Sequence, residues 1–400
     1  MTEAEIKKKY VERVVNGELS SLKASSEILA THGITFPSRT IRNQAKKLRN
    51  ESNHPNVAAI SDGNIGELSG YWDKTKDGVS LYYKIEKTTE EQDPVNYGEV
   101  FAGLIERLGK DLPKVDAPKL EASKFAIRLV TSDEHVGMDC LAGRSLFGYE
   151  YSGEIYKSQM AKVKRALFKE FSTHGAAEVL FLDGLGDFQD GWGRKTTRGL
   201  HELPQNMTEA EVFETCVWSK LDLIRFAIDQ GLAQKIIVRN VLNDNHAGRF
   251  AEVVNTGLKI LCGEMFGDVV EVDTLKRFVE IRQYGKHAHL LCHGKDSQHR
   301  RAGMPLRLDD KTRSFINDII EHNNIRSPFI HFDKGDLHQS GYDVSKRFDY
   351  RNFASFAPPS AYVQDSYGNS ASSFAVQVVP KLNNEIAHTD YRLNYEKKAV

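Results

Sequence analysis

From Phe125 onward, short apolar runs alternate with longer helical stretches, and this alternation constrains the fold more than any other sequence feature. Apolar runs of strand length lie at 125–131, 178–182, 236–242, 287–292 and 328–332. Between them, helical periodicity covers 155–174, 208–230, 250–264 and 309–323. Strands that alternate with helices bury their apolar faces by stacking in layers. The sequence therefore predicts a layered α/β core.

A polar segment follows each of these strands directly. The residues that stand there are Asp133, His135, Asp187, Asp190, Asn245, His246, His293, Asp336 and His338. Because ligands of open α/β sheets gather at the carboxyl ends of strands, we expect these side chains to converge. Carboxylate, imidazole and amide oxygen without thiolate suit a borderline divalent cation. A carboxylate in a tight Gly-Asp turn, as at Asp187, can bridge two ions about 3.5–4 Å apart.

The ordered series of motifs resembles the calcineurin-like metallophosphoesterase superfamily. That superfamily carries DxH, GDxxD, GNH[DE], H and GHxH, and the matching segments here are 133–135, 186–190, 245–246, 293–294 and 335–338. The resemblance covers roughly residues 125–340. It implies an α/β fold built as a layered β-sandwich flanked by helices. The segment 187–199 further resembles phage and prophage members, which often carry an N-terminal helix-turn-helix.

The resemblance also implies a cofactor of two divalent metal ions. One ion would be held by Asp133, His135, Asp187 and His338, and the second by Asp187, Asn245, His293 and Asp336. His246 matches the residue that protonates the leaving oxygen, and Asp190 matches the carboxylate that supports this region. Manganese is the expected metal, with iron, zinc and nickel as alternatives.

Two segments depart from the superfamily pattern. Asp244 replaces the Gly before the Asn-His pair, and Ala247 replaces the acidic residue after it, so that His246 would need Asp190 or Asp244 for support. Asp336 stands where a histidine normally binds the second metal. Because aspartate also binds divalent cations, we expect a retained site with altered metal preference. A half-occupied or impaired site is the alternative.

The first fifty residues differ in charge from the rest of the chain. They contain ten Lys and Arg residues against five Glu, whereas the whole chain has a net charge of −1. Helices are predicted at 4–15, at 19–31 and from Pro37-Ser38 to about Arg49. The last helix carries the basic residues Arg39, Arg42, Lys46, Lys47 and Arg49. This pattern predicts a small all-α, helix-turn-helix-like domain that binds DNA. A basic helix on an interaction module is the alternative.

Three domains follow from these patterns. Residues 1–50 form the basic domain, and residues 51–124 form a linker with a β-hairpin at 72–87 and a helix near 97–109. Residues 125–400 form the metallophosphoesterase domain, which has further strands near 374–380. The main boundary falls in the Pro- and Lys-rich spacer at 112–124.

Composition excludes several classes of protein. No apolar run is long enough for a transmembrane helix, and the charged N-terminus does not fit a signal peptide. Four widely spaced cysteines argue against a disulfide framework and a zinc ribbon. We therefore expect no membrane partner and a cytoplasmic location, which is the host cytoplasm if the chain is phage-encoded.

The reaction expected from these features is hydrolysis of a phosphate ester. Five basic residues near the motifs are candidates for phosphate binding: Arg194, Lys195, Arg198, Arg249 and Lys295. The leading hypothesis is a phosphodiesterase or nuclease that acts on DNA, because the basic N-terminal domain would deliver the site to it. A phosphomonoesterase for nucleotides or phosphoproteins is one alternative. A DNA-binding regulatory protein with an impaired site is another. The strand histidines His287, His289 and His331 are interpreted as structural.

Overall fold

The computed structural model describes residues 2–16, 18–52, 70–74, 80–84, 103, 123–141, 147–197, 199–296, 303–368 and 370–395. The chain forms two compact units, Met1–Pro94 and Val95–Val400. The predicted helix near 97–109 and most of the linker and spacer lie outside the described residues. The domain boundaries at 50 and 124 stay predictions.

The first unit contains the three helices that the sequence predicts. They are α1 (Glu3–Val15), α2 (Ser21–His32) and α3 (Ser38–Ser52). Thr2 and Ser20 cap the first two helices through their side chains, which satisfies backbone amides that lack partners within the helix. Apolar residues from all three helices form a small core, including Val11, Ile28 and Ile41. The predicted N-terminal helical region is therefore confirmed. The same unit contains an antiparallel hairpin of β1 (Gly70–Lys74) and β2 (Ser80–Lys84).

The second unit is built on a six-stranded mixed sheet. Its strands are β3 (Phe125–Thr131), β4 (Ala177–Gly184), β5 (Ala233–Val241), β6 (Val270–Leu275), β12 (Ser373–Pro380) and β13 (Ala387–Arg392). They lie in the order β13-β12-β3-β4-β5-β6. The four strands β3 to β6 are parallel, and β12 pairs antiparallel with β3 and β13. The carboxyl ends of β3, β4 and β5 therefore share one edge.

A five-stranded sheet lies in the same unit. Its strands are β7 (Glu280–Tyr284), β8 (His287–Leu291), β9 (Phe329–Lys334), β10 (Gly341–Val344) and β11 (Asp349–Asn352). Their order is β10-β11-β9-β8-β7. Because β8 and β9 are parallel, they also end at a common edge.

Helices cover the outer faces of the two sheets. They are α4 (Gly153–His174), α5 (Glu209–Asp229), α6 (Arg249–Phe266), α7 (Asp310–His322) and the short α8 (Ala361–Tyr367), with a 3-10 turn at Gly267–Val269. The first three pack against the six-stranded sheet in the largest core cluster. Ile316 and Ile320 of α7 pack against the five-stranded sheet. None of the described helices is long and apolar enough to cross a membrane.

Strand β3 shows why the chain adopts these layers. Its side chains alternate between two faces, as the period of an extended chain requires. Ile127 and Leu129 join the cluster with the helices, whereas Ala126 and Val130 pack with residues of the other sheet. Arg128 shares this second face and lies 3.0 Å from Asp333 of β9. The predicted fold, a layered β-sandwich flanked by helices, is confirmed.

The strands and helices predicted between Phe125 and residue 334 are present with shifts of a few residues at their ends. Strands β6, β7, β10, β11 and β13 were not predicted. They are short, and several expose alternate residues, as in the pattern of buried and exposed positions along β6. Polar residues such as Glu280 and Arg282 in β7 hide the apolar signal on which the prediction depends.

A buried charged cluster joins the sheets. The Asp183 carboxylate on β4 lies 2.6 Å from Nη2 of Arg128 and 2.5 Å from Nε of Arg239. All three side chains are almost completely buried. Burial opposes ionisation of Asp183, but the two guanidinium groups outweigh it and lower the pKa of the carboxyl. Asp333 of β9, whose Oδ2 lies 3.0 Å from Nη2 of Arg128, supplies the second carboxylate, so two cations face two anions across the sheets.

Removing the central carboxylate should strongly destabilise the fold. In Asp183→Asn, two buried guanidinium groups lose their shared anion, and the expected loss is about 3–5 kcal/mol of unfolding free energy. The matched control is Asp222→Asn, which breaks an ion pair with Lys164. The side chain of Asp222 is 61% exposed. That control should cost at most about 1 kcal/mol. Urea unfolding followed by circular dichroism measures both, and equal losses would contradict the assigned role.

Candidate metal centre

The predicted metal ligands lie just beyond the carboxyl ends of strands from both sheets. β3 leads to Asp133 and His135, and β4 leads to Asp187. β8 and β9 lead to His293 and His338. Ligand atoms lie within 4.8 Å of one another in three groups: Asp133 with His135 and His338, Asp133 with Asp187 and His293, and His135 with Asp187 and His246. The fold therefore brings carboxylates and imidazoles from distant segments into one cluster.

Two imidazole rings face each other on one side of the cluster. Nδ1 of His135 lies 3.0 Å from Oδ1 of Asp190, which can accept a hydrogen bond from its N–H. Nε2 of His135 then presents its lone pair to Nε2 of His338, 3.4 Å away. Burial, which outweighs the attraction of Asp133, lowers the pKa of His338 to about 4, so this ring is neutral near pH 7. Oδ1 of Asp133 lies 3.4 Å from Nε2 of His338. The two facing ring nitrogens and this carboxylate form a suitable donor set for a cation.

On the other side, Asp187 contacts a histidine from the five-stranded sheet. Nδ1 of His293 donates to the carbonyl oxygen of Leu185 at 2.8 Å, which leaves Nε2 with its lone pair when the ring is neutral. Nε2 lies 3.1 Å from Oδ2 of Asp187 and 3.1 Å from Oδ1 of Asn245. Histidines that bind metals commonly donate their other ring nitrogen to an acceptor in this way.

The backbone is strained at the ligand positions. Asp133, His135, Asp187, Asp336 and His338 all have positive φ, at 52°, 45°, 48°, 72° and 54°. For non-glycine residues this conformation costs on the order of 1–3 kcal/mol each, and such strain clusters at functional sites. Turns of this kind point successive side chains into the cluster, which a relaxed extended chain would not do.

The residues present fit divalent cations. Within the described part of the chain, Oδ1 of Asp133, Oδ2 of Asp190 and Nδ1 of His338 are buried without a hydrogen-bond partner. Buried polar atoms are rarely left so, and a bound ion is one of the recognised reasons. The groups contain imidazole nitrogen and carboxylate oxygen but no cysteine, which suits manganese, iron or zinc in a catalytic site.

Asp336 lies next to this cluster but outside the three groups, which contain only carboxylate and imidazole ligands. Asn245 is placed by its contact with His293, whereas Oδ1 of Asp336 is 3.9 Å from Nε2 of the same ring. Burial raises the pKa of Asp336, although the charges of His293 and Lys295 oppose this. The predicted second set of ligands is therefore assembled less tightly around Asp336 than around Asp187.

Asp244, which replaces a glycine of the superfamily pattern, supports the turn that carries Asn245 and His246. Its Oδ1 accepts backbone hydrogen bonds from His246, Ala247 and Gly248 at 3.2, 2.9 and 3.2 Å. Its Oδ2 accepts from the backbone N–H of Asp187 at 3.1 Å. Burial, assisted by the charge of Asp187, raises the pKa of Asp244 to about 6. The sequence analysis named Asp244 as a possible support for His246, and the support acts through the backbone amides of the turn, for which Asp is a common partner.

His246 lies against two carboxylates, the predicted support Asp190 and the predicted ligand Asp187. Its Nδ1 is 3.4 Å from Oδ1 of Asp190, and its Nε2 is 3.8 Å from Oδ2 of Asp187. Burial disfavours the charged ring, but the Asp187 and Asp190 carboxylates outweigh it and raise the pKa of His246 to about 9. The ring can therefore hold a proton near neutral pH in the metal-free protein. Ala247, at the position of the missing acidic residue, is buried in the core. Its methyl side chain cannot form a hydrogen bond with the ring of His246.

Most of the predicted phosphate-binding residues have side chains that the structure describes, and two do not. Arg194 and Arg249 are exposed, and Lys195 and Lys295 are half-buried. Arg198 lies outside the described residues. In the first unit, Arg39 and Arg42 of α3 are exposed, whereas the side chain of Lys46 is outside the description. Their contacts with phosphate stay predictions.

Sequence reasoning missed three buried charged residues near the cluster. Glu134 lies between two ligands and pairs with Lys220 of α5, whose Nζ is 2.9 Å away. Lys334, at the end of β9, donates to the carbonyl oxygen of Gly335 at 3.2 Å, and burial lowers its pKa to about 8. The sequence did contain a signal for Lys334, because a lysine in an apolar strand just before a polar motif is unusual.

Two facing sheets flanked by helices, with acidic and imidazole side chains at the strand ends, are the metallophosphoesterase-type architecture. No family model and no curated protein sequence matches the chain. Among solved structures, it is similar to wild-type Vps29 complexed with Zn²⁺ from Entamoeba histolytica, with 13% identity and a TM-score of 0.28 over 67% of this chain and 99% of that one.

Two further solved structures are similar. A novel archaeal phosphodiesterase has 9% identity and a TM-score of 0.30 over 66% of this chain and 99% of its own. A predicted phosphoesterase from Streptococcus pneumoniae has 11% identity and a TM-score of 0.22 over 68% of this chain and 100% of its own. Similarity at this level of identity and TM-score says nothing about the activity of this chain. The fold is identified from the strand order and the positions of the helices. The phage origin stays a prediction.

Asp187 belongs to two of the three groups, as Asp133 and His135 also do, so its removal should weaken metal binding. In Asp187→Asn, we expect the amount of Mn²⁺ retained after dialysis to fall by at least one ion per chain. Metal analysis by inductively coupled plasma mass spectrometry provides the measurement. Asp139→Asn is the control, because this half-buried carboxylate lies near His135 in sequence but in none of the groups. Unchanged metal content in Asp187→Asn would contradict the assignment.

Proposed function

We propose that this chain is a two-metal-dependent phosphoesterase that cleaves phosphodiesters of DNA, with Mn²⁺ as its metal. The observation that supports it most is the pair of ligand groups, Asp133–His135–His338 and Asp133–Asp187–His293, which share a carboxylate. Two adjacent donor sets with a shared acidic residue are suited to two ions held close together. When bound, such ions neutralise charge on the phosphoryl oxygens and activate water for attack.

The chain's own residues supply orientation and a proton. Oδ1 of Asp190 accepts a hydrogen bond from Nδ1 of His135 and lies 3.4 Å from Nδ1 of His246, so Asp190 fixes both rings. Nε2 of His246 is the proposed proton donor. As the water oxygen bonds to phosphorus, the ester P–O bond breaks and the leaving oxygen takes this proton. The attacking water releases its proton to solvent, from which His246 is protonated again.

A nucleic-acid substrate is supported by the surface beside the site. Trp192, two residues after Asp190, is 43% exposed and packs at 4.8 Å against Phe250 at the start of α6. Arg194 and Arg249 are exposed in the same two segments. Aromatic and basic side chains together suit single-stranded nucleic acid, whose bases stack while its phosphates attract cations. In the first unit, the exposed Arg39 and Arg42 on α3 are compatible with binding to duplex DNA.

A small panel of substrates tests the proposed reaction. With Mn²⁺, we expect turnover of bis-p-nitrophenyl phosphate to exceed that of p-nitrophenyl phosphate, and we expect cleavage of single- or double-stranded DNA. Release of p-nitrophenol and gel analysis of DNA are the measurements, and treatment with a chelator should abolish both activities. The reverse preference between the two esters would favour a phosphomonoesterase. No turnover, together with salt-sensitive DNA binding, would instead indicate a regulatory protein with an impaired site.

His246→Ala separates a proton donor from a metal ligand. Loss of a general acid typically costs 10²–10⁴ in rate, so we expect turnover to fall by about that factor. Metal content should stay at the parent value, as measured on the same preparation. His322→Ala, which removes an exposed histidine in the last turn of α7, is the control. Loss of metal from His246→Ala would reassign this residue as a ligand, as the third donor group permits.

A further inference from the structure

Glu134 stands between the ligands Asp133 and His135, but its side chain points away from the metal centre. Oε1 accepts a hydrogen bond from Nζ of Lys220 at 2.9 Å and another from Oγ1 of Thr131 at 2.7 Å. Oε2 accepts from the hydroxyl of Tyr156 at 2.8 Å. The carboxylate is 1% exposed. Donors from β3, α4 and α5 therefore converge on one buried anion.

The backbone of Glu134 is anchored as well. Its carbonyl oxygen accepts a hydrogen bond from the hydroxyl of Tyr151. The main chain on either side is bound to the loop after β4, because the amides of Asp133 and His135 donate to the carbonyl oxygens of Gly186 and Asp187 at 3.1 and 2.9 Å. The segment is thus held from two directions, by the neighbouring loop and by the helices beneath it.

This anchoring opposes the strain in the segment. Asp133 and His135 have φ of 52° and 45°, an unfavourable conformation for residues with side chains. Such conformations persist only when the surroundings over-determine them. Because Glu134 shares a peptide group with each neighbour, a side chain and carbonyl group held firmly on the far side restrict the orientation of both Asp133 and His135.

Lys220 is likewise buried, at 2% exposure, and its ammonium lies 4.6 Å from the ring centre of Phe188, the residue after Asp187. One lysine therefore contacts the two ligand-bearing loops that follow β3 and β4. A buried ion pair contributes little to net stability compared with apolar residues of similar size. Its placement is better explained by the geometry that it imposes on the loops.

We propose that Glu134, held by Lys220 and Tyr156, is a positioning residue that sets the geometry of Asp133 and His135 for metal binding. The inference rests on the proposed metal site and extends it to residues that do not touch the ions. Supporting residues of metal ligands typically change metal affinity by 10–100-fold. We therefore expect about a tenfold or larger loss of affinity for Mn²⁺ when the carboxylate is removed.

The first test compares two buried glutamates. Glu134→Gln keeps the size of the side chain but places an amide against the donors Lys220 and Tyr156. Glu170→Gln is the matched control, because Glu170 is also buried and accepts from the hydroxyl of Tyr391 at 2.6 Å, a contact that involves none of the predicted ligands. Titration of each metal-free full-length protein with Mn²⁺, followed by isothermal calorimetry, should show weaker binding only in Glu134→Gln.

A second variant separates positioning from stability. Glu134→Leu with Lys220→Met replaces the ion pair with apolar side chains of similar volume, which commonly preserves folding. We expect the metal-free double variant to melt close to the parent, yet to bind Mn²⁺ at least about tenfold more weakly. The absorption spectrum of bound Co²⁺ should also change, because it reports the coordination geometry.

The outcomes distinguish this inference from the proposed function. If the parent protein binds no Mn²⁺ or Co²⁺, the metal site itself is wrong. If the parent binds metal and the folded double variant binds it with equal affinity and an identical Co²⁺ spectrum, Glu134 does not position the ligands. A loss of affinity in Glu170→Gln as large as that in Glu134→Gln would also overturn the inference.

Discussion

The carboxylate of Asp187 ties the two sheets together at the candidate metal centre. Its Oδ2 lies 3.1 Å from His293, which follows β8, while its Oδ1 accepts the backbone N–H of His246 after β5 at 3.2 Å. Its own backbone donates to Asp244 and accepts from His135. Displacement of this one turn would therefore move ligands on both sheets. The positive φ of Asp187 is the local cost of that arrangement, and the surrounding hydrogen bonds make it sustainable.

The buried interior contains polar groups of two kinds, and the contrast between them indicates which kind is functional. Around Asp183, two arginines and Asp333 compensate each other, so the charges hold the sheets without needing a ligand. In that cluster Nη2 of Arg128 and Oδ2 of Asp333 form no hydrogen bond within the described residues, but they lie 3.0 Å apart as an ion pair. Around Asp187, by contrast, imidazole nitrogens and carboxylate oxygens crowd together, and Oδ1 of Asp133 also lacks a hydrogen-bond partner within the described residues. A low-dielectric interior makes unpaired acceptors costly. Such a cluster is therefore understandable as a site for cations, whereas the arginine cluster is understandable as structure alone.

Much of this arrangement could be predicted from the sequence, because strand β3 and its successors are apolar runs that end in polar motifs. The strands that escaped prediction, such as β7, have alternating or charged residues that resemble loops in a single sequence. The order of the motifs predicted which side chains would gather, but it could not give distances. Asp336 shows the difference: the motif predicts it as a ligand, yet its Oδ1 is 3.9 Å from His293, outside the tight groups. The role of Glu134 depends on Lys220 and Tyr156, which are far away in sequence, and local patterns carry no information about such contacts.

Asp336 also bears on the choice of metal. A carboxylate in place of an imidazole makes the second donor set richer in oxygen and more negative. Oxygen donors favour manganese over zinc, for which imidazole and thiolate are stronger partners. The added negative charge is partly offset, because the charges of Lys295 and Lys334 act on Asp336 and oppose the effect of burial on its pKa. Both lysines lie within two residues of a predicted ligand, and Lys334 is held in place by Asn352 and the carbonyl oxygen of Gly335. The substitution is thus accompanied by two nearby lysines that partly offset the effect of burial on the Asp336 carboxylate.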